Sequence, residues 1–257
     1  MDELSAMDRA KRAAGRRGAM LVEDGMRVGL GTGSTARWLV EALGERVREE
    51  GLSIRAVPTS TATARLAEAQ GIALADLNEL GGLDIAVDGA DELDGRLSLV
   101  KGGGGALLRE KIVAAAADRM VVIADAAKRV ASLGAFPLPV EVVPFGWHAA
   151  RDQIEDILGG SDVLGIGISL RMDGDAPYRT DEGNHILDLA LRCIAHPDRL
   201  DVALNRIPGV VENGLFVGLA DQAILGFPDG SVEIVEPGAP SRREAASAED
   251  GDNIFRA

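Results

Sequence analysis

Short apolar runs alternate with amphipathic stretches through the first half of the chain. Met26–Gly31 is a largely apolar run closed by glycine, and after it Trp38, Leu39, Ala42, Leu43 and Val47 recur at helical spacing. The pattern predicts a strand, a glycine turn and a helix. It repeats at Ile54–Val57, followed by the hydroxyl-rich turn Thr59-Ser60-Thr61 and a helix through Ala64, Leu66 and Ala69. It recurs at Leu83–Val87, with the turn Asp88–Asp94 and a helix from Ala106 to Ala117, and closes on the run Met120–Ala124. Strands alternating with helices at these lengths build βαβ units and a parallel sheet covered on both faces.

The period changes after Phe136-Pro137-Leu138-Pro139, whose prolines suit a connection. The pattern then predicts strand Val140–Val143, helix Ala149–Leu158, strands Leu164–Leu170 and Ile186–Leu191, helix Arg199–Arg206 and strand Val210–Phe216. That order, β-α-β-β-α-β, is the split βαβ or ferredoxin-like unit. The expected fold is therefore α/β, a Rossmann-like, mostly parallel sheet domain with a smaller ferredoxin-like α+β domain. The expected partition assigns residues 1–134 plus 208–237 to the first and 135–207 to the second, whose last strand extends to 216. Ala223–Gly226 and Val232–Val235, around the turn Phe227-Pro228-Asp229-Gly230, return the chain to the first sheet. Residues 238–257 are small, polar and charged, so they are expected to form a tail without order of its own.

Composition narrows the chemistry. With 27 basic and 41 acidic residues the formal charge is −14, which argues against a general electrostatic grip on nucleic acid or an anionic membrane. A single cysteine, Cys193, forms no intrachain disulfide, and with three histidines the chain has no zinc-like cluster. The residues from Met1 to Asp8 are acidic and polar, unlike a secretory leader, and no apolar run reaches the roughly 18 residues of a bilayer span, so a reducing cytoplasm is the expected location.

Ligands of open α/β sheets sit at the carboxyl ends of the strands, where three turns draw attention. Gly29-Leu30-Gly31-Thr32-Gly33-Ser34-Thr35 offers backbone N–H groups, three hydroxyls and a helix start, which suit a phosphate. The bland reading is a tight βα turn with Ser34 as its N-cap. Its glycine spacing matches neither the dinucleotide G-x-G-x-x-G nor the lysine-bearing Walker pattern. Asp88-Gly89-Ala90-Asp91-Glu92-Leu93-Asp94 sets four carboxylates at a strand end. Glu92 and Asp94 are expected to be solvated, whereas Asp88 and Asp91 could accept from sugar hydroxyls. Lys101 precedes Gly102-Gly103-Gly104-Gly105, and four successive glycines suggest a backbone that something approaches closely, the alternative being a flexible loop. The triplet Arg109-Glu110-Lys111 on the following helix reads most simply as a solvated face.

Taken in series, these residues resemble ribose-5-phosphate isomerase of type A. The resemblance rests on the three turns above, on Arg109-Glu110-Lys111, on Phe136-Pro137-Leu138-Pro139-Val140-Glu141 and on Ile207-Pro208-Gly209-Val210-Val211, and covers about Ala10 to Val235. It implies reversible aldose–ketose isomerisation of ribose 5-phosphate and ribulose 5-phosphate through an enediolate, in the non-oxidative pentose phosphate pathway, with no metal or organic cofactor. By similarity Glu110 is the general base, Asp88 assists ring opening, and Asp91 and Lys101 share the polar network around the sugar and its developing oxyanion. Thr32, Gly33, Ser34, Thr35, Gly89, Gly102 and Gly103 join Asp88, Asp91 and Lys101 as substrate-binding positions. Lys128, with Lys11 as a further candidate, supplies positive charge near the phosphate, and a homodimer or homotetramer is expected. Ala127 stands where the family commonly has Ser before the lysine. A glutamate with an ordinary pKa near 4.3 is a weak base, so burial must raise it for work near pH 7. A non-catalytic sugar-phosphate sensor and a sugar-phosphate deaminase remain the competing readings, separable by turnover and by ammonia release.

Overall fold

The computed structural model describes residues 4–246. Its elements follow the predicted alternation. The chain opens with α1 (Ala6–Ala19), β1 (Arg27–Leu30), α2 (Ser34–Glu49), β2 (Arg55–Pro58), α3 (Thr61–Ala69), the single turn α4 (Leu77–Leu80) and β3 (Ile85–Asp88). Two short strands, β4 (Glu92–Leu93) and β5 (Leu99–Val100), precede α5 (Leu107–Ala115) and β6 (Met120–Asp125). There follow β7 (Leu138–Val142), α6 (Trp147–Gly159), β8 (Gly167–Leu170), β9 (Met172–Asp173), β10 (Ala176–Pro177), β11 (His185–Ala190) and α7 (Pro197–Leu204). The chain then forms β12 (Val210–Asn213), β13 (Leu215–Phe216), β14 (Gln222–Gly226), β15 (Val232–Val235) and β16 (Arg242–Glu244).

These elements form two compact units. The first comprises residues 1–89, 112–128 and 220–257, the second 90–111 and 129–219. The expected partition follows element order, whereas the compact units follow contacts. The stretches 90–111, 129–134 and 208–219 fall in the second unit: β4 pairs with β5 and β5 with β13, β12 pairs with β7, and residues 129–134 are tied to β4 by the Val130 N–H on the Leu93 carbonyl and the Gly134 N–H on Glu92.

The first unit is built on a seven-stranded sheet of order β16-β15-β14-β6-β3-β1-β2. From β2 to β14 every pairing is parallel, and β15 and β16 extend the edge antiparallel. The central β6 is buried at all six positions, as a strand covered on both faces must be. Its side chains and those of α1 and α2 share one apolar core through Ala14, Leu39, Leu43, Val87, Val121 and Ile123. Small residues set how near α1 can lie: a Cβ at Gly18 would meet Ile123 at 2.9 Å, and one at Gly226 would collide with the Ala10 carbonyl oxygen.

The second unit contains an antiparallel sheet of order β12-β7-β11-β8. With α6 and α7 it gives the expected β-α-β-β-α-β order, and the exposed hairpin β9–β10 is inserted before β11. The predicted single strand Val210–Phe216 is instead two strands in two sheets. Asn213 is fully buried at the corner, donating to Asp201 Oδ1 (2.8 Å) and Asn205 Oδ1 (2.9 Å) and accepting from the Leu215 N–H (2.9 Å). That leaves β13 to pair with β5, and β4 completes a three-stranded ladder. Two-residue strands carry no periodicity, so β4 lay hidden in what reads as a turn.

The expected tail from residue 238 needs a correction. Arg242–Glu244 pair with β15, Arg17 Nε donates to Glu244 Oε2 at 2.7 Å, and the Arg243 guanidinium stacks over Phe227 at 4.2 Å. Backbone pairing and two cations, not apolar side chains, order this segment. Residues 247–257 lie outside the described residues. A chain ended after Pro237 is therefore expected to show a lower thermal midpoint than one ended after Ala246; equal midpoints would show that β16 adds nothing.

A second expectation concerns acid. Arg27 donates to Asp84 from its backbone N–H (2.7 Å) and its guanidinium, and these hydrogen bonds hold the Asp84 carboxyl at about 2, below its ordinary 3.8. A carboxyl depressed on folding contributes stability above its unfolded value, and that contribution is lost as pH falls through the folded one. The denaturant-midpoint difference between wild type and Asp84→Asn should therefore shrink as pH drops from about 4 to about 2. A difference constant across that range would contradict the linkage.

Candidate active site

At the carboxyl end of the first unit's sheet, β1 ends in Gly31-Thr32-Gly33 before α2. Gly31 sits against β3: a Cβ there would lie 2.0 Å from Asp88 Oδ1 and 2.5 Å from its Cα. Only hydrogen fits, and the close approach lets the Thr32 N–H donate to Asp88 Oδ1 at 3.1 Å. The Gly89 N–H donates to the same oxygen at 2.6 Å, so the buried Asp88 carboxylate is fixed by two backbone donors.

The hydroxyls divide into two kinds. Thr32 Oγ1 lies 2.7 Å from Thr59 Oγ1, 2.8 Å from Ser60 Oγ and 3.2 Å from Thr63 Oγ1, a cluster closed by Thr63 donating to the Gly31 carbonyl. Thr59, Ser60 and Thr63 were absent from the sequence-derived site, although the turn after β2 had shown itself rich in hydroxyls. They tie the glycine turn to α3, whose N-cap is Ser60. Ser34 is the first residue of α2 and exposed, and it is not the cap: Gly33 holds that position at φ +108°, without a side-chain bond. Thr35 is buried one residue on. The opening N–H groups of α2 and the Ser34 hydroxyl therefore form an anion-receptive helix start.

Lys128 closes the short 3₁₀ turn Ala126–Lys128 at the end of β6, on the same sheet edge. That turn is capped by the buried Asp125, whose Oδ1 accepts from the Ala127 N–H at 3.2 Å. Ala127 is exposed, so the missing serine hydroxyl leaves the turn closed by its backbone. Lys11 is half-buried on α1, and no hydrogen bond or ion pair joins its side chain to another described residue.

The remaining candidates lie in the second unit. Lys101 is 2% exposed and Glu110 5%, and Lys101 Nζ sits 3.4 Å from Glu110 Oε2 with the Phe216 ring 5.4 Å from the ammonium. Glu110 is thus no solvated helix residue. It lies in the first turn of α5, where the N-terminus favours negative charge. Lys111 is not solvated either: its ammonium meets Glu212 Oε1 and the Asn213 carbonyl, both at 2.8 Å. The face expected outward is a structural anchor. Asp91 Oδ2 accepts from the Gly103 N–H at 2.7 Å, and a Cβ at Gly103 would come within 2.8 Å of that carboxylate. Glu92, expected in solvent, is 4% exposed and accepts from Gly134 N–H (2.7 Å) and Phe136 N–H (2.6 Å). Asp94 closes a local turn by accepting from Arg96 N–H and Ser98 N–H.

Among the described residues no group of three or more His, Cys, Asp or Glu is placed to hold a metal ion, and no helix is long and apolar enough to cross a membrane.

Residues 55–230 match the family model of ribose 5-phosphate isomerase A, also described as phosphoriboisomerase A. The chain belongs to that family. It is 61% identical over 232 residues to ribose-5-phosphate isomerase A of Ruegeria pomeroyi, a match covering 90% of this chain and 88% of the relative. The solved ribose 5-phosphate isomerase A of Methanocaldococcus jannaschii superposes with a TM-score of 0.81 at 38% identity, over 88% of this chain and 98% of that one. A D-ribose-5-phosphate isomerase solved in complex with phospho-erythronic acid gives 0.83 at 38% identity, over 90% of this chain and 99% of that one. Both structures bear out the α/β fold with its large, mostly parallel sheet.

The contact at Gly31 makes a sharp expectation within this family frame. Gly31→Ala should cost at least about 1–3 kcal/mol in denaturant unfolding, the usual range for overpacking, because the colliding partner includes the Asp88 backbone. An unchanged midpoint would show that β1 and β3 can move apart at little cost.

Proposed function

We propose that this isomerase interconverts D-ribose 5-phosphate and D-ribulose 5-phosphate through an enediolate, with Glu110 as the group that moves the proton. The observation that carries the assignment is the burial of Glu110 against Lys101 in the first turn of α5. A carboxylate in this setting is desolvated, as a base must be, while an ammonium 3.4 Å away offsets charge. Family membership supports the reaction, and the burial and contacts of Glu110, Lys101 and Asp88 support the roles proposed for them.

In the proposed sequence Asp88, with one oxygen fixed by the Thr32 and Gly89 N–H groups, takes the proton of the anomeric hydroxyl and delivers it to the ring oxygen as the bond between C1 and that oxygen breaks, so that the cyclic sugar opens to the aldehyde. Glu110 removes the proton on C2, and the electron pair moves to the carbonyl, giving an enediolate oxygen at C1. Lys101 opposes that developing charge. Proton exchange between the two oxygens and return of the proton from Glu110 to C1 complete the ketose. Asp91 holds Gly103, and through it the loop after Lys101, in place for the sugar. The helix start at Gly33, Ser34 and Thr35, with the Lys128 charge, receives the phosphate dianion, whose binding energy is spent on orienting the reacting carbons. Thr32 contributes through its backbone and through the hydroxyl cluster that fixes the turn.

No metal or organic cofactor enters this sequence. The same proposal places the enzyme in the cytoplasm, supported by its single cysteine, and assembles it as a homodimer or homotetramer. Phe145, Leu164, Ile166 and Met172, large apolar side chains at least half exposed in the second unit, support assembly.

The deciding experiment is Glu110→Gln, which keeps size and hydrogen bonding but removes basicity. Its kcat should fall by roughly 10²–10⁴ while KM changes much less. Ile112→Ala, on the exposed side of α5, is the control and should turn over like wild type. A folded Glu110→Gln protein that keeps most of its kcat would move the base elsewhere, with Asp88 and Asp91 the next candidates.

A further inference from the structure

We propose that Arg171 is a positioning residue for turnover: it holds the glycine run Gly102–Gly104 in its working shape from a hairpin that supplies no group to the chemistry. The proposal rests on the assignment of Lys101, its loop and Glu110 to the sugar.

Arg171 follows β8 and opens the β9–β10 hairpin. Its guanidinium is fully engaged on both sides. Toward β11 it grips Asp188, with Nε to Oδ2 at 2.9 Å and Nη2 to Oδ1 at 2.5 Å. Toward the loop, Nη1 donates to the carbonyls of Gly102 (2.9 Å) and Gly103 (3.2 Å). Tyr178, whose ring centroid lies 5.9 Å from the guanidinium carbon, places its hydroxyl 3.4 Å from the Gly104 carbonyl. Three successive carbonyls of the run are thus turned toward one hairpin. Gly105 must be glycine for the same reason, since a Cβ there would lie 2.3 Å from Tyr178 Oη, at φ +79°.

Direction is what this arrangement controls. In a planar trans peptide the N–H points opposite to the C=O. Fixing the Gly102 and Gly103 carbonyls therefore aims the N–H groups of Gly103 and Gly104 away from Arg171. The first meets Asp91 Oδ2 at 2.7 Å, and the second has no hydrogen-bond partner among the described residues. Four glycines in series have more backbone freedom than any other tetrapeptide. A loop so composed keeps two amides aligned only when something outside it removes that freedom, and a rigid fork bound to a carboxylate does so. Lysine cannot replace it, because one ammonium on a flexible stem cannot hold Asp188 bidentately and reach two carbonyls.

The hairpin is itself anchored. Glu141 on β7 is 1% exposed and accepts at Oε1 from Thr180 Oγ1 and Asn184 Nδ2, both at 2.9 Å. Arg109, one residue before Glu110, reaches Glu182 Oε1 at 2.5 Å.

The test uses full-length Arg171→Lys and Arg171→Met beside Glu110→Gln. The readouts are kcat, KM, the thermal midpoint, and calorimetric affinity for phospho-erythronic acid and for inorganic phosphate. Misplacement of reacting groups by an ångström costs on the order of 10²-fold in rate. Both Arg171 variants should accordingly lose at least about tenfold in kcat, with KM nearly unchanged. Affinity for phospho-erythronic acid should fall with kcat, and affinity for inorganic phosphate should stay at the wild-type value. Wild-type kcat in Arg171→Lys overturns the proposal, as does a parallel loss of kcat, KM and phosphate affinity with the thermal midpoint, which would mark a merely structural arginine. If Arg171→Met fails to fold, Arg171→Lys decides alone. An inactive Glu110→Gln beside a fully active Arg171→Lys sinks the positioning role and leaves the assignment of the base standing. An active Glu110→Gln removes that assignment and this proposal with it.

Discussion

An ammonium and a carboxylate taken out of water together each incur several kcal/mol of desolvation, recovered only if their geometry is held. Lys101 and Glu110 are such a pair, and much of the second unit reads as the means of holding them. The Lys101 backbone is tied to Gly214 by its N–H at 2.9 Å, which requires the chain to leave β12 and form β13. That switch depends on Asn213, and the Phe216 ring delivered by β13 stands beside the Lys101 and Lys111 ammonium groups. Glu110 is fixed from the other direction by α5. Between the two partners runs the glycine loop, whose shape is imposed from outside.

The first unit handles its buried carboxylate differently. Asp88 takes backbone N–H groups on one oxygen, that of Gly89 beside it and that of Thr32 from the turn that opens α2. One close contact, β1 against β3 at Gly31, thus orients a carboxylate and shapes an anion-receptive turn at once. Thr59, Ser60 and Thr63 brace that turn from the next strand end.

The alternation of strands and helices was legible because covered strands and amphipathic helices write different periods into the chain, and the ferredoxin-like order of the second unit emerged the same way. What escaped did so for physical reasons. The ladders of β4, β5 and β13 are two residues long, too short for any period. Arg242–Glu244 is ordered by backbone pairing and ion pairs, which apolar patterning cannot reveal. Glu92 and Lys111 belong to residue types that usually seek water, and only tertiary structure shows the N–H groups and carboxylates they satisfy. The candidate positions Asp88, Asp91, Lys101 and Glu110 stood out as motifs. Arg171 did not, because its partners are carbonyl oxygens, which every residue has.

The division of the chain into interleaved segments has a consequence for synthesis. Three of the seven strands in the first unit's sheet, β14, β15 and β16, come from beyond residue 220. The ribosome therefore finishes the whole of the second unit before the strand that must lie beside β6 has emerged. Until then the buried flank of β6 has no partner, an exposed edge of the kind that invites pairing with another chain. Parallel pairing across so long a sequence separation is slow to form. Nascent chains of this isomerase are thus most vulnerable to aggregation late in translation, and a stop codon a few dozen residues early would leave a sheet with its central strand bare.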